Sequence, residues 1–458
     1  MAKSASVALL RLVLVLSFSL SPVVASAMSV ETAEAPTNDL ALIVGAIKTA
    51  QTSIRMNIYE FTSPDITQAL IDRINAGVDV EVLQEGQLAV TRRISTAGLA
   101  IQSQILSAMQ SAGSKDRLFE MTSQAGGKRR YAFDHAKYIV IDNESLVIGS
   151  ENYSPTGAAQ PGSVGNRGWV VFIQNDPEIA QAYTRVFETD ANPNAGDVED
   201  LTAGGVRQSP SQGNGSSLGG GDLPLVLDQP MDLMQSFLSL GSSTHPKPKP
   251  KPKSPKPGQN SGAEPGGTTP VHRGGDSTPV QVGGLAGAVS DAPVLEASDI
   301  QQATSPDTSV SSIVRLIQNA QHSIDIEQMT FDSAWKGAAS SPILDAVVAA
   351  AHKGVAVRVL MNDEAVFNTK KPKNPMTAQT LINAGAKALI ANVQAMGVDY
   401  IHNKGMLVDG DKTLVSSINW DENSFEKNRE AAVIITSPDV FNHYEALFDS
   451  DWRVSGGN

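Results

Sequence analysis

The sequence predicts an α/β protein in which two similar α/β/α domains, related by a pseudo-twofold axis, are joined by a long disordered linker. The first observation behind this prediction is an internal repeat, because similar segments occur on both sides of the middle of the 458-residue chain. The second is that each repeat alternates helix-like and strand-like patterns, and strand–helix–strand order implies a parallel or mixed sheet covered by helices. The third is that much of the Gly and Pro is pooled in the middle of the chain.

Each repeat begins with an apolar-periodic helix that leads into a strand, at 47–58 (IKTAQTSIRMNI) and at 317–328 (IQNAQHSIDIEQ). A second strand, rich in β-branched residues, follows Gly77 in the first half and Gly354 in the second. A second helix is predicted before each of these glycines, at 66–75 and 343–352. Both glycines therefore stand where a helix stops, as C-cap glycines do.

The first 27 residues have the pattern of a secretory signal. Lys3 and Arg11 precede the apolar run 12–21, and a small-x-small site ends at Ala27. The apolar run is shorter than the roughly 18–20 residues that span a bilayer, so a cleaved signal is favoured over a retained anchor. We therefore expect a secreted or periplasmic protein.

The predicted linker covers residues 193–300 and separates domain one (30–192) from domain two (301–455). It is rich in Gly, Ser and Pro, and its Lys-Pro run at 246–257 favours a stiff polyproline II spacer. An apolar island at 223–240 interrupts it. That island is either a short amphipathic helix that docks on a domain, a membrane or a partner, or a weakly ordered piece of linker.

Composition excludes several kinds of protein. The chain has no cysteine, which rules out disulfide scaffolds, thiolate zinc sites, iron–sulfur clusters and cysteine nucleophiles. Its formal net charge is −13, from 35 Lys and Arg against 48 Asp and Glu, which disfavours bulk binding of nucleic acid by electrostatics.

Both halves end in the same constellation: a histidine, a lysine two residues later, an aspartate five residues after that, and then a Ser-x-Asn at equal spacing. The first copy consists of His135, Lys137, Asp142, Ser150 and Asn152. The second copy consists of His402, Lys404, Asp409, Ser417 and Asn419. A chain of this composition would contain roughly 0.06 matches to His-x-basic-x4-acidic by chance, so two matches are a strong signal.

The spacing within the constellation has a physical interpretation. Residues two apart on a strand point to the same face, so the histidine and lysine of each copy lie side by side. Each half then offers an imidazole, an ammonium, a hydroxyl and an amide at the mouth of a sheet, a donor set that suits a phosphate. One imidazole can attack phosphorus while the other protonates the leaving oxygen.

The two copies resemble the signature of the phospholipase D superfamily, His-x-Lys-x4-Asp with a following Gly-Ser-x-Asn, and the resemblance covers residues 39–190 and 309–452. It implies one site shared by both motifs and a phosphohistidine intermediate formed without a metal or any other cofactor. It implies that His135 is the nucleophile and that His402 is the general acid and then the base. The other implied roles are phosphate binding by Lys137, Lys404, Asn152 and Asn419, support by Ser150 and Ser417, and loop anchoring by Asp142 and Asp409.

Many members of that superfamily also carry a glutamate, in an Asn-x-Glu context, that orients a catalytic histidine. Residues 428–430 read Asn-Arg-Glu, and Glu430 lies 28 positions after His402, so the resemblance implies an orienting role for Glu430. The first half reads Asn-Arg-Gly at 166–168, and the acid is missing. The orienting carboxylate of His135 is therefore unidentified from the sequence.

The favoured function is a secreted phospholipase D that hydrolyses the phosphodiester of a glycerophospholipid, for example phosphatidylcholine to phosphatidate and free headgroup. It would meet its phospholipid at a membrane surface. The alternative is a secreted nuclease that uses the same two histidines on DNA or RNA. A degenerate binding module is disfavoured because both His-Lys pairs survive, and a phosphotransferase that makes cardiolipin-like lipids is disfavoured because no membrane span is found. We expect a monomer without an obligate protein partner.

Two further features have open interpretations. The basic run 128–130 (Lys-Arg-Arg) either attracts an anionic headgroup or nucleic-acid backbone, or is a solvated loop face. Among the tryptophans, Trp420 is the strongest candidate to line the substrate pocket, because it follows Asn419 directly.

Overall fold

The structure is a computed structural model that describes residues 28–89, 93–113, 115–122, 128–203 and 293–458. The predicted signal (1–27) lies outside the described residues. So do residues 204–292, which contain the Lys-Pro run and the apolar island.

The first half of the described chain contains eight strands and four α-helices. The strands are β1 (Ser29–Ala35), β2 (Ser53–Ile58), β3 (Asp79–Glu85), β4 (Arg117–Met121), β5 (Lys137–Ile141), β6 (Ser145–Gly149), β7 (Gly168–Gln174) and β8 (Val198–Asp200). The helices are α1 (Asp39–Thr49), α2 (Pro64–Asn75), α3 (Thr96–Ala112) and α4 (Pro177–Asp190).

The second half of the described chain contains a further eight strands and six α-helices. The strands are β9 (Val294–Glu296), β10 (Asp299–Ser305), β11 (Ser323–Gln328), β12 (Ala356–Met361), β13 (Lys387–Ile390), β14 (Lys404–Val408), β15 (Lys412–Ser416) and β16 (Glu430–Thr436). The helices are α5 (Ser309–Asn319), α6 (Pro342–His352), α7 (Asn374–Asn383), α8 (Val393–Met396), α9 (Glu422–Glu426) and α10 (Pro438–Val454). No helix in the described part of the chain is long and apolar enough to cross a membrane.

The two halves have the same sheet topology. The first sheet has the order β8-β4-β3-β2-β5-β6-β7-β1-β9, and the second has the order β10-β16-β15-β14-β11-β12-β13. Read in opposite directions, the seven strands from β4 to β1 and from β13 to β10 correspond one to one. The strand–helix–strand units pair in parallel, β2 with β3 and β11 with β12, whereas the motif strands β5 and β14 are antiparallel to their neighbours. The predicted α/β class and its two similar halves are confirmed.

Local sequence explains where the repeated second helices begin and end. The hydroxyls of Ser63 and Ser341 cap α2 and α6 by accepting a hydrogen bond from the backbone amide three residues on, and a proline follows each serine. Gly77 and Gly354 have φ angles of 84° and 91°, which a glycine adopts without strain. These two glycines therefore end the helices as the sequence predicts.

Both ends of the predicted linker contain strands of the first sheet. Strand β8 pairs with β4, and β9 pairs with β1 although the next strand, β10, belongs to the second sheet. The chain therefore crosses from one sheet to the other at residues 297–298. Composition alone could not assign these short strands, because their pairing partners are distant in sequence.

An apolar core joins the two sheets, and helices α4 and α10 each lie at this junction. The hydroxyl of Tyr183 in α4 donates a 2.6 Å hydrogen bond to the carbonyl of Ala432 in β16. The hydroxyl of Tyr444 in α10 donates a 2.7 Å hydrogen bond to the carbonyl of Val170 in β7. Each half thus sends an aromatic side chain into the other, and one apolar core is shared across the junction, besides a separate core within each half.

Gly405 in β14 offers a direct test of this junction. Its Cα faces the indole ring of Trp169 in β7, which also stacks on Tyr444 with the ring centroids 4.4 Å apart. A methyl group at position 405 would overlap that ring, so we expect Gly405→Ala to lower the free energy of unfolding by about 1–3 kcal/mol. Urea denaturation measures this loss.

Gly45 provides the matched control for this substitution. It lies inside α1 with open space where a Cβ would be, so Gly45→Ala should raise stability by about 0.5–1 kcal/mol. Equal effects of the two substitutions would contradict the tight packing of Trp169 on β14.

Candidate active site

The two histidine motifs meet in one pocket between the two halves. His135 and His402 lie two residues before the first residues of the central strands β5 and β14, and both line a cavity of about 360 Å³. Asn152 and Asn419 line the same cavity. The structure therefore brings together an imidazole and an amide from each half.

Backbone hydrogen bonds between the halves hold each histidine in place. The amide of His135 donates to the carbonyl of Arg429 at 2.8 Å, and the amide of His402 donates to the carbonyl of Arg167 at 2.8 Å. Short parallel bridges, Asp134 with Arg429 and Arg167 with Ile401, surround these contacts. The segment before His135 is thus paired with the segment that leads into β16, and the segment before His402 with the segment that leads into β7.

Glu430 is a partner of His135, and the expectation that it orients His402 is wrong. Its carboxylate oxygens lie 2.9 and 3.0 Å from Nδ1 of His135. The reason is the crossed pairing, because Glu430 follows Arg429, whose carbonyl already binds the amide of His135. The carboxylate partner of His135 that the sequence left unidentified therefore comes from the other half.

The partner of His402 is Glu151, which the sequence analysis missed. Its Oε2 lies 3.1 Å from Nδ1 of His402, and both side chains are buried. Glu151 occupies the variable position of the Ser-x-Asn segment, so a pattern based on Ser150 and Asn152 gives it no weight. The available signal was an acidic residue at that position in the half whose Asn-x-Glu acid is missing.

The two motif serines support these carboxylates. The hydroxyl of Ser417 donates to Glu430 at 2.6 Å, and that of Ser150 donates to Glu151 at 3.2 Å. Both serines are fully buried and their hydroxyls bind the carboxylates, so they act in support and do not belong to the donor set that was expected to contact a phosphate. Asparagine amides donate to the same two carboxylates: Asn428 to Glu430 and Asn166 to Glu151.

The motif lysines lie buried beside the histidines. Nζ of Lys137 donates a 2.7 Å hydrogen bond to the carbonyl of His135, and Nζ of Lys404 donates to the carbonyl of His402. Burial lowers the pKa of Lys137 to about 8, although the charge of Glu430 opposes this effect. Burial and the charge of Lys137 lower the pKa of Lys404 to about 7, against the effect of Glu151. Each ammonium retains further N–H donors for an anion.

Burial also keeps the two imidazoles neutral. It lowers the pKa of His135 well below the ordinary value, and the two nearby lysines lower it further. It lowers the pKa of His402 to about 4 even though the charge of Glu151 acts in the opposite direction. Since Nδ1 of each ring faces a carboxylate, Nδ1 carries the proton and Nε2 is left as the free base.

The two supporting carboxylates differ in their own ionisation. Burial raises the pKa of Glu430 to about 7, although Lys137 and the hydrogen bond from Ser417 oppose it. Burial also acts to raise the pKa of Glu151, but the neighbouring His402 and Lys404 outweigh it and leave that pKa below its usual value. The site is thus symmetric in its residues but not in its charges.

The motif aspartates anchor loops away from the pocket. Asp142 accepts hydrogen bonds from the backbone amides of residues 51–53 at 2.7–2.9 Å. Asp409 accepts them from the amides of residues 321–323 at 2.7–3.0 Å. Both aspartates have φ angles of 55°, in the left-handed region. This is the anchoring role that the superfamily resemblance implies.

The two features with open interpretations are both structural. Arg129 forms an ion pair with Glu85, and Arg130 forms one with Asp197 at 2.9 Å, so these two basic side chains are neutralised within the protein. Trp420 is fully buried against Phe331 and does not line the pocket. Among the residues that the structure describes, no group of three histidine or carboxylate side chains is placed to hold a metal ion.

Comparison with known proteins gives similarities to each half and to the whole fold. The family described as cardiolipin synthase, PLD-like domain, matches residues 43–191 and 313–452. The mitochondrial cardiolipin hydrolase of Xenopus tropicalis is 26% identical over 148 residues, which are 32% of this chain and 62% of that protein. The probable cardiolipin synthase YwiE of Bacillus subtilis is 31% identical over 159 residues, 33% of this chain and 29% of that protein. The matched segments thus span less than two thirds of either relative.

Among solved structures, phosphatidylserine synthase from Haemophilus influenzae has a similar fold. The TM-score is 0.54 with 11% identity, over 93% of this chain and 85% of that one. At this identity the likeness concerns the fold alone. The family match extends over both halves, more than half of the chain, and includes both histidine motifs. The protein therefore belongs to the phospholipase D superfamily, in the family of cardiolipin synthase, PLD-like domains.

Proposed function

We propose that this protein is a phosphodiesterase that cleaves glycerophospholipids through a phosphohistidine on His135. The observation that carries the proposal is the pairing of His135 with Glu430 and of His402 with Glu151 around one pocket, with a buried lysine beside each histidine. Each carboxylate holds the Nδ1 proton and leaves Nε2 free for the pocket. Two such imidazoles suit a double displacement at phosphorus.

The proposed reaction has two steps. In the first, Nε2 of His135 attacks phosphorus, the bond to the leaving oxygen breaks, and His402 gives that oxygen a proton. In the second, His402 takes a proton from water, the water oxygen attacks phosphorus, and the phosphorus–nitrogen bond breaks to release His135. The phosphodiester is an anion, so its binding raises the pKa of His402 from its low value of about 4 and allows the imidazole to carry that proton.

The histidine roles are tested by replacing each ring. We expect His135→Ala to abolish turnover of bis(p-nitrophenyl) phosphate, because the nucleophile is lost. We expect His402→Asn to accumulate a phosphoenzyme with this substrate, since a good leaving group departs without acid but hydrolysis still needs the base. Quenched-flow burst measurements and mass spectrometry of the intact protein detect that species.

The control is His352→Asn, which changes an exposed histidine at the end of α6. Its turnover should equal that of the unmodified protein. Full activity of His135→Ala would contradict the two-histidine mechanism.

The pH profile of the reaction follows from the buried charges. As pH rises through about 7, Glu430 ionises and supports the Nδ1 proton of His135. As pH rises through about 7 to 8, Lys404 and then Lys137 lose their charge, which weakens binding of the anionic substrate. We expect kcat/KM, which reports the free enzyme, to be greatest near pH 7 and to fall on both sides.

Steady-state kinetics from pH 5 to 10 measure this profile. The alkaline limb of kcat should lie at higher pH than that of kcat/KM, because the bound anion raises the pKa of both lysines. A kcat/KM that stays constant from pH 6 to 9.5 would contradict the assigned roles of the lysines.

Lipid is favoured over nucleic acid as the substrate by several observations. Two relatives are named for the hydrolysis or synthesis of cardiolipin, a lipid whose phosphodiesters join glycerol groups. The pocket wall includes the apolar side chains of Met329 and Phe367 beside the histidines. The acidic net charge and the neutralised arginines at 129–130 disfavour a polyanionic DNA substrate. The signal pattern at 1–27 makes export to the periplasm or medium part of the same proposal.

Substrate class is tested by assaying liposomes and plasmid DNA side by side with EDTA present. Liposomes of cardiolipin or phosphatidylcholine should yield phosphatidyl products, and the plasmid should stay intact. EDTA should leave the rate unchanged, because imidazoles perform every proposed step. Plasmid cleavage without lipid cleavage would overturn the lipid proposal, and loss of activity in EDTA with recovery on added metal would overturn the metal-free mechanism. Addition of glycerol to the phosphatidylcholine liposomes separates hydrolysis from transfer, since from this lipid only transfer yields phosphatidylglycerol.

A further inference from the structure

The two halves place the carboxylate that supports the opposing histidine at different positions of the chain. In the second half it is Glu430, the first residue of β16, and Ile418 occupies the variable position of Ser-x-Asn. In the first half the residue that begins β7 is Gly168, and the variable position holds Glu151. The registers match, because Gly168 pairs with Ala35 of β1 as Glu430 pairs with Ser305 of β10. The glutamate therefore lies at the start of β16 in the second half, but at the variable position of Ser-x-Asn in the first half.

Gly168 is small because Glu151 occupies the space in front of it. A Cβ at position 168 would lie 2.6 Å from Cγ of Glu151 and 2.5 Å from the hydroxyl of Ser150, and it would overlap a carboxylate oxygen of Glu151. Gly168 does not have a positive φ angle, so its backbone conformation does not require glycine. The requirement is one of volume: a side chain at 168 and the carboxylate of Glu151 cannot share this space.

The relocated carboxylate has the same hydrogen-bond partners as its counterpart. Glu151 binds Nδ1 of His402 and accepts hydrogen bonds from Ser150 and Asn166. The counterpart, Glu430, binds a histidine Nδ1 and accepts from a serine and an asparagine at the equivalent motif positions. In the second half the position of Glu151 holds Ile418, which is buried in the apolar core beneath the sheet.

We infer that Glu151 is the positioning residue of His402, and that Glu151 with Gly168 replaces the glutamate that the second half carries at the start of its last strand. The carboxylate keeps the proton on Nδ1 of His402 and leaves Nε2 facing the pocket. The effect on turnover rests on the proposed function, in which His402 is the acid and base. The effect on the tautomer of the His402 imidazole does not depend on the proposed function.

The test moves the carboxylate back to the place it has in the second half. Glu151→Gln keeps the shape but loses the charge, and we expect it to lower kcat about 10- to 1000-fold with a smaller change in KM. Glu151→Ile copies Ile418 and should lose at least as much. The double variant with Glu151→Ile and Gly168→Glu copies the second half at both positions and should recover at least tenfold of that loss. Gly168→Glu alone puts two carboxylates where one fits, and it should lose both activity and stability.

Glu188→Gln is the matched control, since it removes an exposed carboxylate of α4. Its kcat should be unchanged. Circular dichroism and urea denaturation identify any variant that fails to fold. Glu151→Gln is isosteric with the natural residue, so we expect it to fold and its kcat to be directly comparable with that of the unmodified protein.

A readout independent of substrate separates this inference from the proposed function. Nitrogen NMR of the imidazoles reports the tautomer of His402, which should carry its proton on Nδ1 in the unmodified protein, become mixed in Glu151→Ile, and return in the double variant. His135 should not change in any of them, because its partner is Glu430. If no phosphodiester is cleaved by the unmodified protein but the tautomer follows this pattern, the proposed function fails and the positioning role stands. A tautomer of His402 unchanged in Glu151→Ile, or a folded double variant equal to Glu151→Ile in tautomer and kcat, would overturn the inference.

Discussion

The site depends on one pair of crossed backbone contacts, in which each half binds the histidine of the other. The carbonyls of Arg429 and Arg167 accept the amide protons of His135 and His402. Each arginine is itself fixed across the junction, since Arg429 pairs with Asp190 of α4 and Arg167 pairs with Asp451 of α10, both at 2.7 Å. Removing one partner of such a buried pair typically costs about 3–5 kcal/mol, so the docking of the halves and the geometry of the site are energetically linked.

The crossed backbone contacts also determine which carboxylate lies beside which histidine. A residue that follows Arg429 must lie near His135, and this gives Glu430 its partner. The equivalent position in the first half, Gly168, carries no side chain. Glu151, which follows the adjacent strand β6, fills the space in front of Gly168 and supplies the carboxylate of His402. Both histidines thus have a carboxylate at Nδ1, although that carboxylate comes from a different place in the sequence in each half.

Burial then sets the chemistry of the groups that the crossing brings together. Two lysines, two histidines and two glutamates lie in a water-poor volume, where each charge is costly unless another compensates it. The lysines lose basicity, the imidazoles stay neutral, and one glutamate holds its proton up to about pH 7. An arriving phosphodiester brings a negative charge that favours the protonated forms of the two lysines and of His402.

The sequence by itself determined the repeat, the β–α–β order, the glycines that end the second helices, and the residue types of the two motifs, because these depend on local periodicity and spacing. It also indicated the anchoring role of Asp142 and Asp409. Only the tertiary structure decided that Glu430 serves His135, that Glu151 serves His402, and that the motif serines hold carboxylates. Those contacts join residues 251 and 295 positions apart for the two histidine–glutamate pairs. Local pattern carries no information about contacts at that separation, which arise when the two sheets dock and the segments before each histidine cross.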